Sequence, residues 1–234
     1  MWVRIRWTKV GKIRWTSHRD AARIWERAMR RAELPMIYSE GFSPRARMSF
    51  GLALPTGSES LAEFLDVDLT DGEALDLDTI PQRLSACLPF GMTVLEAAAV
   101  PRGAESAQAD AVACDWVIDI DNVTLDEAND AVASLLAAES RVITKRRKDQ
   151  IVTDDIRPGV ESLVVTGLSA DGKSVLVRAV LGTKPRGIRP GDLITGLFPG
   201  NDNVVERRSL RVAQLIERAG ERHTLRAAPH MAAA

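Results

Sequence analysis

Only two of the 234 residues are cysteine, Cys87 and Cys114, and neither forms a CxxC pair nor stands at ligand spacing from a histidine. A disulfide framework and a structural zinc site are therefore not what organises this chain, and a reducing cytoplasm is the expected compartment. No stretch approaches the roughly 18 consecutive apolar residues of a membrane span. The opening residues MWVRIRWTKV carry charge throughout and hold no apolar signal-peptide core. Histidine is scarce as well. Of His18, His223 and His230, only His18 falls in a structured motif, so it is the one candidate general base. No glycine loop of the P-loop or dinucleotide type is present.

What is there is an ordinary globular composition, 45% apolar and 27% charged, with a net charge of -1 that conceals a segregation. Residues 1–50 sum to +8, residues 51–139 to -16 and residues 140–234 to +7. Local field, rather than the overall balance, governs what such a chain can attract. The acidic run Glu63, Asp66, Asp68, Asp71, Glu73, Asp76, Asp78 has no EF-hand spacing and reads as a solvated face, so no metal is expected.

Hydrophobic periodicity predicts the elements. WVRIRWT alternates as a strand, and IRWT after the KVGK turn reads as its hairpin partner. Ser17 and Asp20 read as a capping box opening a helix that ends before Pro35. Around Met36–Tyr38 a short strand is expected, and from Ala46 to Leu54 a second one, where every other residue is apolar. AEFLDVDLT, LDTIPQRLSACL and MTVLEAAAV continue as strand, helix and strand. The polar stretch 102–111 reads as a linker. The order then repeats in VACDWVIDID, the capped helix after Thr124, the strands of RVITKRRKDQIVTDDI and SLVVTGL with SVLVRAVL, the helix entry RPGDLITGLF and a last strand. The expected fold is α+β, two ferredoxin-like (βαββαβ) domains in tandem over 1–101 and 112–217, the first with an extra N-terminal hairpin. Residues 218–234 read as a disordered tail.

The densest chemistry lies in the first helix and the turn after it. At 100° per residue, Ala21, Ala22, Ile24, Trp25, Ala28, Met29 and Ala32 share one arc, while Arg19, Arg23, Arg27, Arg30 and Arg31 share the opposite one. The Gly-Phe-Ser-Pro turn follows, with Arg45 and Arg47 beyond it. Guanidinium groups suit phosphate oxygens, which they can grip bidentately. Tyr38 and Phe42 offer rings on which unpaired bases stack. A solvated helix face is the competing reading of the same stripe. Lys145, Arg146 and Arg147 form a second basic cluster of the kind that touches a phosphate backbone. His18 and Asp20 are weak catalytic candidates, because local capping already accounts for Asp20.

Residues 11–69 carry a more specific pattern: Ser17, His18 and Asp20; Arg27, Ala28, Arg30, Arg31, Ala32, Leu34 and Pro35; Tyr38, Ser39, Gly41, Phe42 and Pro44; Leu54, Pro55, Gly57, Ser60 and Glu63. In this the chain resembles the bacterial radical-SAM-associated proteins, domain of unknown function 2344. It departs from their commoner pattern at Arg19 and at Arg45–Arg47, and both departures add arginine. The resemblance implies a link with radical-SAM enzymes, to which many members are fused or adjacent. Stand-alone members are often encoded near ribonuclease E-type genes, a matter of context rather than mechanism. The chain itself lacks the CxxxCxxC that would hold an iron–sulfur cluster. No cofactor is expected. The expected function is that of a non-catalytic RNA-binding or adaptor protein, with tRNA or rRNA as the partner and no membrane. A metal-independent RNA-processing enzyme using His18 and a protein-interaction module without nucleic acid are the alternatives.

Overall fold

A computed structural model of the protein describes residues 1–70, 75–101, 103–147 and 150–228, with the side chain of Arg147 excepted. Along the chain run β1 (Trp2–Lys9), a 3-10 turn (Gly11–Trp15), α1 (His18–Arg31), β2 (Met48–Phe50) and β3 (Glu59–Asp68). A second 3-10 turn (Leu77–Thr79) leads into α2 (Ile80–Ser85), followed by β4 (Met92–Val100) and α3 (Ala107–Asp110). Then come β5 (Ala113–Asp121), α4 (Leu125–Ala137), β6 (Val142–Arg147), β7 (Gln150–Asp155), a third 3-10 turn (Arg157–Gly159) and β8 (Val160–Leu168). The last elements are β9 (Val175–Gly182), α5 (Pro190–Leu197), β10 (Val205–Arg218) and β11 (Glu221–Thr224). The architecture is mixed α/β with mostly antiparallel pairing. It divides into two compact units, one formed by Met1–Ala111 with the chain from Leu215 onward, the other by Val112–Gln214.

In the first unit β1 lies between β4 and β3, and β2 adds to the far side of β3, every pair antiparallel. Side chains alternate across a strand. Val3, Ile5 and Trp7 of β1 and Leu65 and Val67 of β3 thus share one face, and they pack with Trp25, Ala28 and Met29 of α1. The Trp7 and Trp25 rings meet edge to face at 5.2 Å. Ser17 caps α1 by accepting the Asp20 N–H at 3.2 Å, a contact worth about 1 kcal/mol. Asp20 does not complete the reciprocal box; its carboxylate takes the Ser17 hydroxyl at 2.7 Å instead.

The opposite face of this sheet is also covered. Ala62 and Phe64 of β3 pack with Ala107, Ile216 and Leu225. Arg4 and Asp66 lie on that face and are both buried, joined through Nε–Oδ1 at 2.7 Å and Nη2–Oδ2 at 3.0 Å. Asp66 is therefore no part of a solvated acidic face. Asp71 and Glu73 of the same run lie outside the described residues.

Three sequence expectations are corrected here. IRWT is no returning strand, and the N-terminal hairpin does not form. Gly11 turns with φ +74°, and Glu59 then accepts the Gly11 N–H at 2.6 Å and faces Arg14 at 3.4 Å, which closes the segment as a 3-10 turn. The stretch read as a linker contains α3, capped by Ser106, with Ala107 and Ala111 buried. The stretch read as a disordered tail contains β11, which pairs with Leu215–Arg218 of β10, and beyond it Leu225 and Ala227 are buried. Apolar residues spaced too sparsely to show a period account for both misreadings. The strand expected over Ala46–Leu54 is regular only at Met48–Phe50, with an isolated bridge at Tyr38–Ala46.

In the second unit β9 lies between β5 and β8, antiparallel to both, and β10 neighbours β5. β6 and β7 form a separate two-stranded hairpin. Thr124 and Glu127 make the full reciprocal box at the start of α4, as their spacing predicts. Pro190 opens α5, where its missing N–H costs nothing.

A candidate anion interface on the first unit

The packing that buries Trp25, Ala28 and Met29 forces the other side of α1 into solvent. Arg19, Arg23, Arg27, Arg30 and Arg31 are all exposed, spread over an arc of about 120° and about 18 Å of helix axis. Arg23 faces Asp20 at 3.3 Å and Arg30 faces Glu26 at 3.9 Å, both loose, exposed pairs. Arg19, Arg27 and Arg31 have no carboxylate partner among the described residues.

After α1 the chain makes an excursion over residues 37–47. Its base is tied down by the Ile37 N–H donating to Asp68 O at 2.9 Å and the Arg47 N–H donating to Ile37 O at 2.9 Å. Higher up, the Ser39 N–H donates to Arg45 O at 2.8 Å and the Arg45 N–H to Ser39 Oγ at 3.0 Å. The backbone thus brings Tyr38, Arg45 and Arg47 together. Phe42 stands fully exposed at the tip, and Tyr38 is 39% exposed. Arg47 faces Asp68 at 3.9 Å, while Arg45 is unpaired among the described residues. Thr70 N–H donates to Pro35 O at 2.8 Å, so the chain leaving α1 and the base of the excursion are anchored at the same end of β3.

Sequence reasoning missed Trp15. It is 64% exposed, just ahead of the α1 cap, and the Arg14 guanidinium lies over its ring at 5.3 Å from the centroid. A Cβ on Gly57 would fall 2.8 Å from that ring, so Gly57 lets the indole sit flat against the chain. The alternation in IRWT mimics a strand and gives no sign of this exposed ring.

His18 has a different setting. Its ring meets Phe50 edge to face at 5.0 Å, and it lines a cleft of about 20 Å³ with Trp7, Lys9 and Glu63. That space holds about one water. Lys9, whose ammonium donates to Thr16 O at 2.8 Å, has its pKa lowered by burial, with the Glu63 charge opposing the shift. These two buried titratable groups come from neighbouring strands that are far apart in sequence, so they carry no local sequence signal.

The second basic cluster belongs to the other unit. Lys145 is held by Asp192 at 2.5 Å and faces Asp154 at 3.7 Å, so its charge is already met by two carboxylates. Arg146 is exposed on β6; Arg147 ends that strand, and its side chain lies outside the described parts. Among the described residues, no three His, Cys, Asp or Glu side chains gather closely enough to hold a metal ion.

Comparison with curated proteins finds no match. The family described as uncharacterized protein conserved in bacteria, DUF2344, matches residues 2–190. That span contains α1, the excursion after it, Trp15 and the whole β4-β1-β3-β2 sheet, and the chain belongs to this family.

Proposed function

We propose that this chain is a cytoplasmic, non-catalytic RNA-binding or adaptor protein that presents structured RNA, tRNA or rRNA, to a processing or modifying enzyme. A radical-SAM enzyme or a ribonuclease E-type protein is the partner the resemblance implies. The observation that carries the reading is the set Arg19, Arg27, Arg31 and Arg45: exposed guanidinium groups with no carboxylate partner among the described residues, beside the bare ring of Phe42. A stripe evolved only for solubility gains from interleaved acids, and here most of the positive charge is left open to an external anion. Tyr38, Phe42 and Trp15 supply stacking faces for unpaired bases. We read both units as ferredoxin-like. The orders β4-β1-β3-β2 and β10-β5-β9-β8, each with two helices in the connections, support that reading.

Fluorescence anisotropy with labelled tRNA across a salt series tests the interface. Each phosphate contact to a single strand contributes about 0.7 to the slope of log affinity against log salt. Arg27→Ala/Arg45→Ala therefore lowers the slope by about 1.4 and weakens binding at every salt concentration. Phe42→Ala weakens it by about 1–3 kcal/mol with the slope unchanged. An unaltered slope and affinity in the double variant would overturn the proposed surface.

A further inference from the structure

On the face of the first unit's sheet that turns away from α1 lies a half-open cavity of about 460 Å³. Small-molecule sites run to about 300–1,000 Å³. The arginine stripe has no part in this cavity. Three guanidinium groups line it instead, from Arg4, Arg218 and Arg226.

Each is fixed from behind. Arg4 gives Nε and Nη2 to Asp66 and also donates from Nη2 to Glu105 O at 2.8 Å. These bonds use Nε and Nη2 and leave Nη1 out, on a residue that is 5% exposed. Arg218 donates from Nη2 to Asp110 Oδ2 at 2.6 Å and from Nη1 to Glu217 O at 2.9 Å. Arg226 donates from Nη1 to Glu96 Oε1 at 2.9 Å, and the other Glu96 oxygen accepts the Ala227 N–H at 3.2 Å. The carboxylates orient the forks and leave other N–H groups unused, so little entropy remains to be lost when an anion arrives. Glu105, exposed on the lining, lies in the field of the Arg218 guanidinium, and its carboxylate can accept from a hydroxyl or amino group. Val100, Ile216 and Leu225 provide an apolar wall.

We propose that this cavity binds a small organic anion. Its carboxylate or phosphate head sits on Arg4 and Arg226, a hydroxyl or amino group donates to Glu105, and an apolar or ring-bearing body lies against Val100, Ile216 and Leu225. Replacing Arg4 would strand the Asp66 charge in the interior, so it is a poor test by itself. Arg226→Gln removes one partly exposed fork, and Ala104→Phe fills the cavity from a half-buried lining position.

Isothermal titration of the full chain with adenosine 5′-monophosphate, phenylalanine and inorganic phosphate separates a phosphate source from a carboxylate source. The expected result is 1:1 binding of one of the two organic probes with Kd below about 1 mM, and inorganic phosphate at least about tenfold weaker. Arg226→Gln then costs about tenfold or more, and Ala104→Phe abolishes binding without lowering the melting temperature of the chain. No heat from either organic probe at about 10 mM, or binding unchanged in both variants, overturns the proposal. Arg27→Ala/Arg45→Ala retains this binding, which separates failure of the cavity from failure of the RNA surface.

Discussion

At the residue scale, the Arg4–Asp66 pair is the sharpest energetic feature of the first unit, with side chains 6% and 1% exposed. Two desolvated charges gain little from each other net of hydration, but removing one leaves the other stranded. Asp66→Ala is expected to lower unfolding free energy by about 3–5 kcal/mol, read from urea unfolding. A loss below about 1 kcal/mol would mean the site is wet and the pair screened. In the sequence Asp66 sits among acids that alternate with Phe64, Leu65 and Val67, and it reads as solvent-facing. Nothing local tells it from Asp68, because its burial comes from α3 and the residues after β11, which cover that face. Phe42 and Arg45 are the opposite case: their exposure follows from a Gly-Phe-Ser-Pro turn and was legible directly.

At the scale of elements, the turn into β4 is built around one glycine. Gly91 has φ +91°, its carbonyl accepts the Val10 N–H at 2.8 Å, and a Cβ there would lie 2.3 Å from Val10 O. That obstacle is backbone and cannot swing aside. Gly91→Ala is expected to cost about 1–3 kcal/mol or more, seen as a lower urea midpoint at unchanged m-value. An unchanged midpoint would show that the β1–β4 edge yields easily. Helices α1 and α4 were readable because cap and apolar period agree in each. The 3-10 turn after β1 was not, since IRWT alternates like a strand while Glu59, distant in sequence, decides its shape.

At the scale of the whole molecule, three carboxylates of the second unit act at the acid end of the pH range and Lys9 of the first acts at the alkaline end. In the second unit, the Thr124 backbone N–H and hydroxyl hold the Glu127 carboxyl below its ordinary 4.5. The Arg141 and Arg157 backbone N–H groups hold Asp155 below 3.8, and the Arg207 guanidinium, with Ser169, holds Asp171 well below the usual carboxylate range. As pH falls through those ordinary values the unfolded chain takes up protons first, so the stabilisation is complete above them and lost towards the folded values. In the first unit, burial lowers the Lys9 pKa from 10.5. Between its lowered value and 10.5 the unfolded chain again holds more protons, so this contribution rises with pH. Asp171→Asn should flatten the acid limb of a stability-against-pH curve, and Lys9→Met the alkaline limb. Limbs that keep their slopes would refute those assignments.

By itself, the sequence determined α1 and α4, the strand alternation, the segregation of charge and the basic face of the first helix. Each depends on residues within a turn or two of one another, where periodicity and capping act. Only the tertiary structure decided that Arg4 and Asp66 are internal, that the chain after residue 218 covers a sheet face, and that three arginines meet at one cavity. Those features join β1, β3, α3 and the chain end, whose contacts rest on burial between segments far apart in sequence, and burial of that kind leaves no periodic trace.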